Sequence, residues 1–271
     1  MFDYTPYLRM NRMPHIWCAG CGNGIVTKAL IRAVDKLEID RDEVVLVSGI
    51  GCSSRAPGYL NFNTLHTTHG RALAFSTGIK AFNPKLNVLI ISGDGDSVAI
   101  GGNHFIHACR RNIDLTLVVF NNSIYGMTGG QNSPTTPVGS RTTSMPYGNI
   151  DEPFNIVELA LGAGATFVAR TTVAHPVQNE LYIRKGIENK GFSVIEVVAD
   201  CPTAYGRRNR MKDPVTQLLD YRSRAVKLDK AKKLSAEELQ DKIITGIFRQ
   251  ETRPEFTDRY AALVKRLADQ A

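Results

Sequence analysis

The sequence predicts an α/β protein: a mostly parallel sheet flanked by helices, followed by a helical C-terminal extension. Three observations predict it. Continuous Val/Ile/Leu runs recur, as in VVLVSGIG (44–51), NVLIISGDG (87–95) and LTLVVFNN (115–122); strands covered on both faces read this way, without alternation. Stretches of helical spacing separate these runs, the order expected of βαβ crossovers. After about Asn209 the composition turns charged, as in KLDKAKKLSAEELQDK (227–242).

In chain order, GNGIVTKALIRAVDKL (22–37) predicts a helix, with Ile25, Leu30, Val34 and Leu37 apolar at helical spacing. Residues 44–51 predict a buried strand closed by glycines, and 71–82 a second helix. Residues 87–95 form the next strand, with a glycine exit. SVAIGGNHFIHACRRN (97–112) fits a helix whose start is weakened by Gly101 and Gly102. Residues 115–122 make the third strand. ATFVAR (165–170) and FSVIEVV (192–198) are two more, with a helical stretch around 174–189 between them. Residues 125–153 are rich in Gly, Ser, Thr and Pro; a loop of that length in a compact domain is usually functional or mobile. SAEE (235–238) has the form of a capping box at a helix start. The chain divides into a main domain, 1–204, and an extension, 205–271, laid over the core or a partner.

Composition narrows the function. With 271 residues and 43% hydrophobic content, the chain builds one large domain or one domain plus an extension. No stretch approaches 18 apolar residues, and the N-terminal segment MFDYTPYLRMNRMP lacks a signal-peptide core. Cytoplasmic location is the expectation. A net charge of +7 without an aromatic-interleaved Lys/Arg run speaks against nucleic acid and for an acidic protein partner. Five cysteines, an odd number, speak against a disulfide framework and for metal, redox or burial roles.

IISGDGDSVAI (90–100) places two aspartates among glycines just after a strand. Glycines there let backbone approach a phosphate, yet Asp94 and Asp96 would repel one. A divalent cation resolves the conflict, because Mg²⁺ binds one or two protein oxygens together with substrate phosphates. Asn121 and Asn122 close the next strand, Asn122 lying 28 positions after Asp94 (94 to 122). One crossover brings both strand ends to the same sheet edge.

HIWCAGCGNG (15–24) supplies Cys18 and Cys21 as C-x2-C, a pattern open to zinc, iron–sulfur or redox-active thiols. Cys52 follows the first strand in IGCSS, and Cys201 follows the last in ADCPTAYG. Cys109, after Ala108 in an apolar helical stretch, reads as a core residue.

The Gly-Asp-Gly to Asn-Asn spacing resembles the thiamine diphosphate motif. The resemblance implies a thiamine diphosphate-binding fold, with Mg²⁺ on Asp94, Asn122 and the carbonyl of Ile124, and with Gly93, Gly95 and Asp96 toward the diphosphate. Over roughly residues 10–215, WCAGCGNG, IGCSSR, THGRA, GDGD, IGGNH, FNNSIYGMTGGQNSPT and ADCPT together resemble the β subunit of 2-oxoacid:ferredoxin oxidoreductases, 2-oxoglutarate (KorB-type) branch. That family implies a [4Fe-4S] cluster on Cys18, Cys21, Cys52 and Cys201. It also implies cofactor contacts from Gly51, Ser53, His69, Asn121, Tyr125, Gly126, Met127 and Thr128.

In LHTTHGRALAF (65–75), His69 is favoured over His66 for contact with cofactor or substrate carbonyl, where an imidazole steadies developing negative charge. Arg55 is a candidate fork for a substrate carboxylate. Some relatives carry Lys where this chain has Gly129, which implies a different substrate pocket. His15, His104, His107 and His175 read as structural or surface residues.

The implied activity is oxidative decarboxylation of 2-oxoglutarate or a related 2-oxoacid with coenzyme A, electrons leaving through the cluster to ferredoxin. The carboxylate that activates the aminopyrimidine ring has no counterpart in this chain and would come from an α subunit. The implied assembly is a heterodimer or dimer of heterodimers, with room for further small subunits. Two rivals stand beside this reading: a non-redox thiamine-dependent decarboxylase or synthase subunit, and a non-catalytic zinc-bearing assembly subunit.

Overall fold

The computed structural model describes residues 2–211 and 213–270. Eight strands form one sheet in the order β2-β1-β3-β4-β6-β5-β8-β7. The strands are β1 (Val44–Ser48), β2 (Asn63–His66), β3 (Asn87–Gly93), β4 (Leu115–Asn121), β5 (Phe167–Thr172), β6 (Phe192–Val198), β7 (Ala225–Lys227) and β8 (Ile243–Gln250). From β2 through β5 in that order, every neighbouring pair is parallel.

The longer helices are α1 (Asn23–Lys36), α3 (Ala72–Phe82), α4 (Gly102–Arg111), α5 (Ile156–Ala163), α6 (Pro176–Glu188), α7 (Pro214–Arg224) and α10 (Phe256–Ala268). Single turns are α2 (Ala56–Tyr59), α8 (Leu228–Ala231) and α9 (Ala236–Leu239). Side chains alternate across β4: Val118 and Phe120 face a core with Leu30 and Val34 of α1 and Ile183 of α6. Leu117 and Val119 face the other, with Leu73 of α3, Phe105 of α4 and Val157 of α5. Cys109 is fully buried in that second core. Among the described residues no helix is long and apolar enough to cross a membrane.

The five expected strands and the helices at 22–37, 71–82 and 174–189 stand at or within a few residues of their expected places. The expected helix at 97–112 is divided. Gly95–Ile100 forms a widened π-type turn, and α4 begins at Gly102. Such turns insert an extra residue in the coil and recur at functional sites.

The extension carries the expected helices and the Ser235–Glu238 capping box, but it is not helical throughout. β8 pairs antiparallel with β5 and continues the main sheet, and β7 pairs with β8. A run broken by Thr245-Gly246, with Gly246 at φ 149° and a register shift opposite Val168/Ala169, hides this strand from a periodicity reading.

Candidate active site

The parallel register decides where chemistry collects. Gly93, last in β3, pairs with Phe120 of β4, so Asp94 and the Asn121–Asn122 pair leave the sheet side by side. Ser48 of β1 pairs with Ile91, which brings the 49–53 turn alongside. Ligands bind in such crevices beyond strand carboxyl ends. The cleft there is lined by Gly51, Ser53, His69, Gly93, Asp94, Gly95, Asp96, Asn122, Ile124, Tyr125, Gly126, Met127 and Thr128, all expected from sequence. Its volume of about 160 Å³ falls below the roughly 300–1,000 Å³ of a complete small-molecule site.

Asp94 is buried. Its Oδ2 accepts a 2.6 Å hydrogen bond from Thr135 Oγ1. One terminal atom of the Asn122 amide lies 3.3 Å from Asp94 Oδ1 and 2.8 Å from the Ile124 carbonyl oxygen. With its oxygen in that position, three oxygens converge. Octahedral Mg²⁺ with ligands at about 2.1 Å sets adjacent oxygens about 3 Å apart, so the donor set fits a small divalent cation. Burial pushes the Asp94 carboxyl above its ordinary range, against hydrogen bonds from Ser133 and Thr135. A bound cation reverses that cost.

The cleft also fits a polar ligand. Ser53 Oγ and both amide atoms of Asn23 are buried without a hydrogen-bond partner among the described residues, and both side chains line the cleft. Leaving such groups unpaired costs about 1–3 kcal/mol each. Asn23, first residue of α1, is a site residue that sequence reasoning missed. Its only signal was a polar residue opening a helix beside the C-x2-C motif.

Asp96 is the hub of the half-site. Oδ1 accepts from Ile50 N (3.2 Å) and Gly70 N (2.7 Å) and lies 2.5 Å from His69 Nδ1; Oδ2 accepts from Ser92 Oγ (2.6 Å). It therefore ties the 49–51 turn and the His69 loop to the diphosphate turn. With His69 Nδ1 engaged, Nε2 is the ring nitrogen left for the cleft. Gly49 makes the hub possible, since a Cβ there would lie 2.1 Å from Asp96 Oδ2. Gly49→Ala is expected to cost about 1–3 kcal/mol, as overpacking of a tight site does, read as a lower melting temperature.

Two expected residues sit elsewhere. Asn121 turns from the cleft: its Nδ2 donates to Glu196 Oε1 at 2.7 Å. The register points its side chain to the same face of the sheet as Glu196. Arg55, in the Ser53–Arg55 turn, does not line the cleft, and its Nε is buried without a partner among the described residues. His66 bonds Ser48 Oγ, and Arg71 contacts His104.

The four cysteines line one adjoining cavity: Cys18, Cys21, Cys52 and Cys201. Their loops are stitched together. Trp17 Nε1 donates to the Cys52 carbonyl (2.7 Å), and Gly22 N donates to the Asp200 carbonyl (3.3 Å). A Cβ on Gly126 would lie 3.6 Å from Cys52 Sγ and 3.7 Å from Cys201 Sγ, so both sulfurs flank that glycine. Burial pushes the Cys21 thiol up to about 12 and the Cys52 thiol to about 11, and it raises Cys201. Buried Asp200 beside them is pushed up to about 6 by the same desolvation. Among the described residues, no three His, Cys, Asp or Glu side chains close to single-ion distance.

Fold and site together define the diphosphate-binding domain of a thiamine diphosphate enzyme. Residues 49–197 match the family model described as thiamine pyrophosphate enzyme, C-terminal TPP binding domain. The chain belongs to the β-subunit family of 2-oxoacid:ferredoxin oxidoreductases. It is 52% identical to the 2-oxoglutarate synthase subunit KorB of Methanothermobacter marburgensis, over 97% of this chain and 92% of that protein. It is 46% identical to the 2-oxoacid:ferredoxin oxidoreductase subunit beta of Saccharolobus solfataricus, over 69% of this chain and 62% of that protein. A solved structure, 2-oxoglutarate:ferredoxin oxidoreductase from Magnetococcus marinus with 2-oxoglutarate, coenzyme A and succinyl-CoA bound, superposes with a TM-score of 0.88. It is 32% identical and covers 98% of this chain and 91% of that one.

Proposed function

We propose that this chain is the β subunit of a 2-oxoglutarate:ferredoxin oxidoreductase, active with an α subunit, which converts the 2-oxoacid and coenzyme A to acyl-CoA and CO₂. The observation that carries this reading is a shared wall. Cys52, Asn122, Gly126 and Met127 line both the Asp94 cleft and the four-cysteine cavity. A group that gives up electrons in the cleft would stand beside the group that accepts them.

When bound, thiamine diphosphate supplies an electron sink for decarboxylation. The chain's own residues do the rest. Asp94, Asn122 and the Ile124 carbonyl would hold Mg²⁺, which would neutralise diphosphate charge. Ser53 and Asn23 offer unpaired polar groups to the ligand, and Gly51, Gly93 and Gly95 keep side chains out of its way. Asp96 fixes the imidazole of His69 so that Nε2 is presented to the substrate carbonyl. Cys18, Cys21, Cys52 and Cys201 would hold a [4Fe-4S] cluster, a reading favoured over zinc by the wall their cavity shares with the cofactor cleft. Arg55, two residues after cleft-lining Ser53 and with a buried, unpartnered Nε, is the candidate for the distal substrate carboxylate. Residues 1–204 form the cofactor unit, and 205–271 buttress it. The complex is a cytoplasmic dimer of heterodimers. Anaerobic co-purification with the α subunit, followed by thiamine, magnesium, iron and sulfide analysis and assay with 2-oxoglutarate against pyruvate, tests the reading. Zinc without thiamine would reject it, and equal use of pyruvate would reject the substrate.

Ferredoxin docks near the cysteine edge. Arg207, Arg208 and Arg210 are exposed shortly after Cys201, and exposed Arg141 joins them through an Arg141 N to Asn209 Oδ1 bond of 2.8 Å. The Debye length falls from about 10 Å at 0.1 M salt to about 3 Å at 1 M. Ferredoxin reduction by the complex is therefore expected to slow about tenfold or more across that range. Reduction of a small neutral acceptor should hardly change; equal salt responses would remove electrostatic docking as the explanation.

A further inference from the structure

A buried polar chain runs along one face of the sheet, from β5 through β6 and β4 to Asp94. Arg170 (β5) and Glu196 (β6) are register partners, with Nε donating to Oε2 at 2.7 Å. Glu196 is buried, and its Oε1 accepts from Asn121 Nδ2 at 2.7 Å. That bond fixes which way the Asn121 amide points. Its oxygen then accepts from Ser123 N (3.1 Å) and Ser123 Oγ (3.3 Å) and lies 2.8 Å from Thr135 Oγ1.

Thr135 completes the chain. Its hydroxyl has one proton and three oxygens in reach, Asp94 Oδ2 at 2.6 Å, Asn121 Oδ1 at 2.8 Å and, more distant, Ser133 Oγ at 3.4 Å. Because Ser123 already supplies Asn121 Oδ1 with two donors, the Thr135 proton is free for Asp94. Oδ2 is thereby occupied, and Oδ1 alone is left facing Asn122 and the Ile124 carbonyl. One carboxylate oxygen, not two, is what an octahedral cation shared with a diphosphate takes.

The geometry assigns Arg170 and Glu196 as positioning residues for the cation site, acting through Asn121 and Thr135 to hold Asp94 with a single oxygen toward the metal. This rests on the metal reading of Asp94, Asn122 and Ile124. It also gives the extension a part: the Arg170 guanidinium lies 5.9 Å from the Phe248 ring centroid, and Arg170 pairs with Gly246, both on β8. Outer partners of metal ligands typically change affinity ten- to hundredfold.

The test uses the α/β complex stripped of cofactor, with thiamine diphosphate binding followed by calorimetry across a Mg²⁺ series. Glu196→Gln is expected to raise the Mg²⁺ concentration for half-maximal binding about ten- to hundredfold. Thr135→Val should do the same and Thr135→Ser should restore it. The Glu196→Gln/Thr135→Val pair should lose no more than either alone, because both act on one path. Should Glu196→Gln fail to assemble, Asn121→Ala cuts the chain while leaving the ion pair, with the same shift expected. Unchanged Mg²⁺ dependence in the assembled Glu196 or Asn121 variant, or additive losses in the pair, overturns the assignment. If Asp94→Ala itself keeps normal Mg²⁺ dependence, the metal reading has failed instead.

Discussion

Asp94→Ala is expected to leave the assembled complex essentially without thiamine diphosphate. The substitution removes the sole carboxylate among the three converging oxygens and leaves the Thr135 hydroxyl without its 2.6 Å acceptor. The Asn122 amide then turns to donate to the Ile124 carbonyl, 2.8 Å away, and closes the position the cation would take. Changing a residue behind a metal ligand costs about 10–100-fold, so removing the ligand should cost at least 100-fold, or about 2.8 kcal/mol at 1.4 kcal/mol per tenfold. Fluorescence assay of thiamine released from purified complex measures it. Any iron held by the four cysteines should stay, because they line an adjoining cavity to which Asp94 does not contribute. Normal thiamine occupancy in the variant would sink the Asp94 assignment.

Cys201→Ser is expected to abolish the iron–sulfur signal, as are Cys18→Ser, Cys21→Ser and Cys52→Ser. A thiolate is the ligand, and burial already disfavours ionisation of Cys21, Cys52 and Cys201. A bound metal centre would offset that cost. Cys109→Ala is the control. Its side chain packs in the core with Phe105 and Ile113, so the loss is about 1 kcal/mol of stability from one small deleted group, with full iron content. Anaerobic iron and sulfide analysis with visible spectra of the five variants decides it. Full cluster in Cys201→Ser with loss in Cys109→Ala would reverse the choice of fourth ligand.

The sequence by itself determined the parallel core and most of the site. Buried parallel strands must be apolar on both faces, so their runs stand out without a partner in view. Glycines at strand exits and the Asp94–Asn122 interval are local signals, because a crossover of that length puts both ends on one edge. Of the expected cofactor contacts, twelve line the cleft. Asn121 does not, since strand alternation sends neighbouring side chains to opposite faces and no motif states which of two asparagines faces the ligand. Tertiary structure alone decided that Glu196 holds Asn121, that Asp96 is a hub rather than only a lining residue, and that Asn23 reaches the cleft. Most of those contacts join residues far apart in the chain: Gly70, His69 and Ile50 lie 26, 27 and 46 positions from Asp96, and Asn121 lies 75 from Glu196. β8 was decided the same way. Its run is interrupted at Gly246, and it becomes a strand because the edge of β5 offers unpaired backbone groups that must be satisfied.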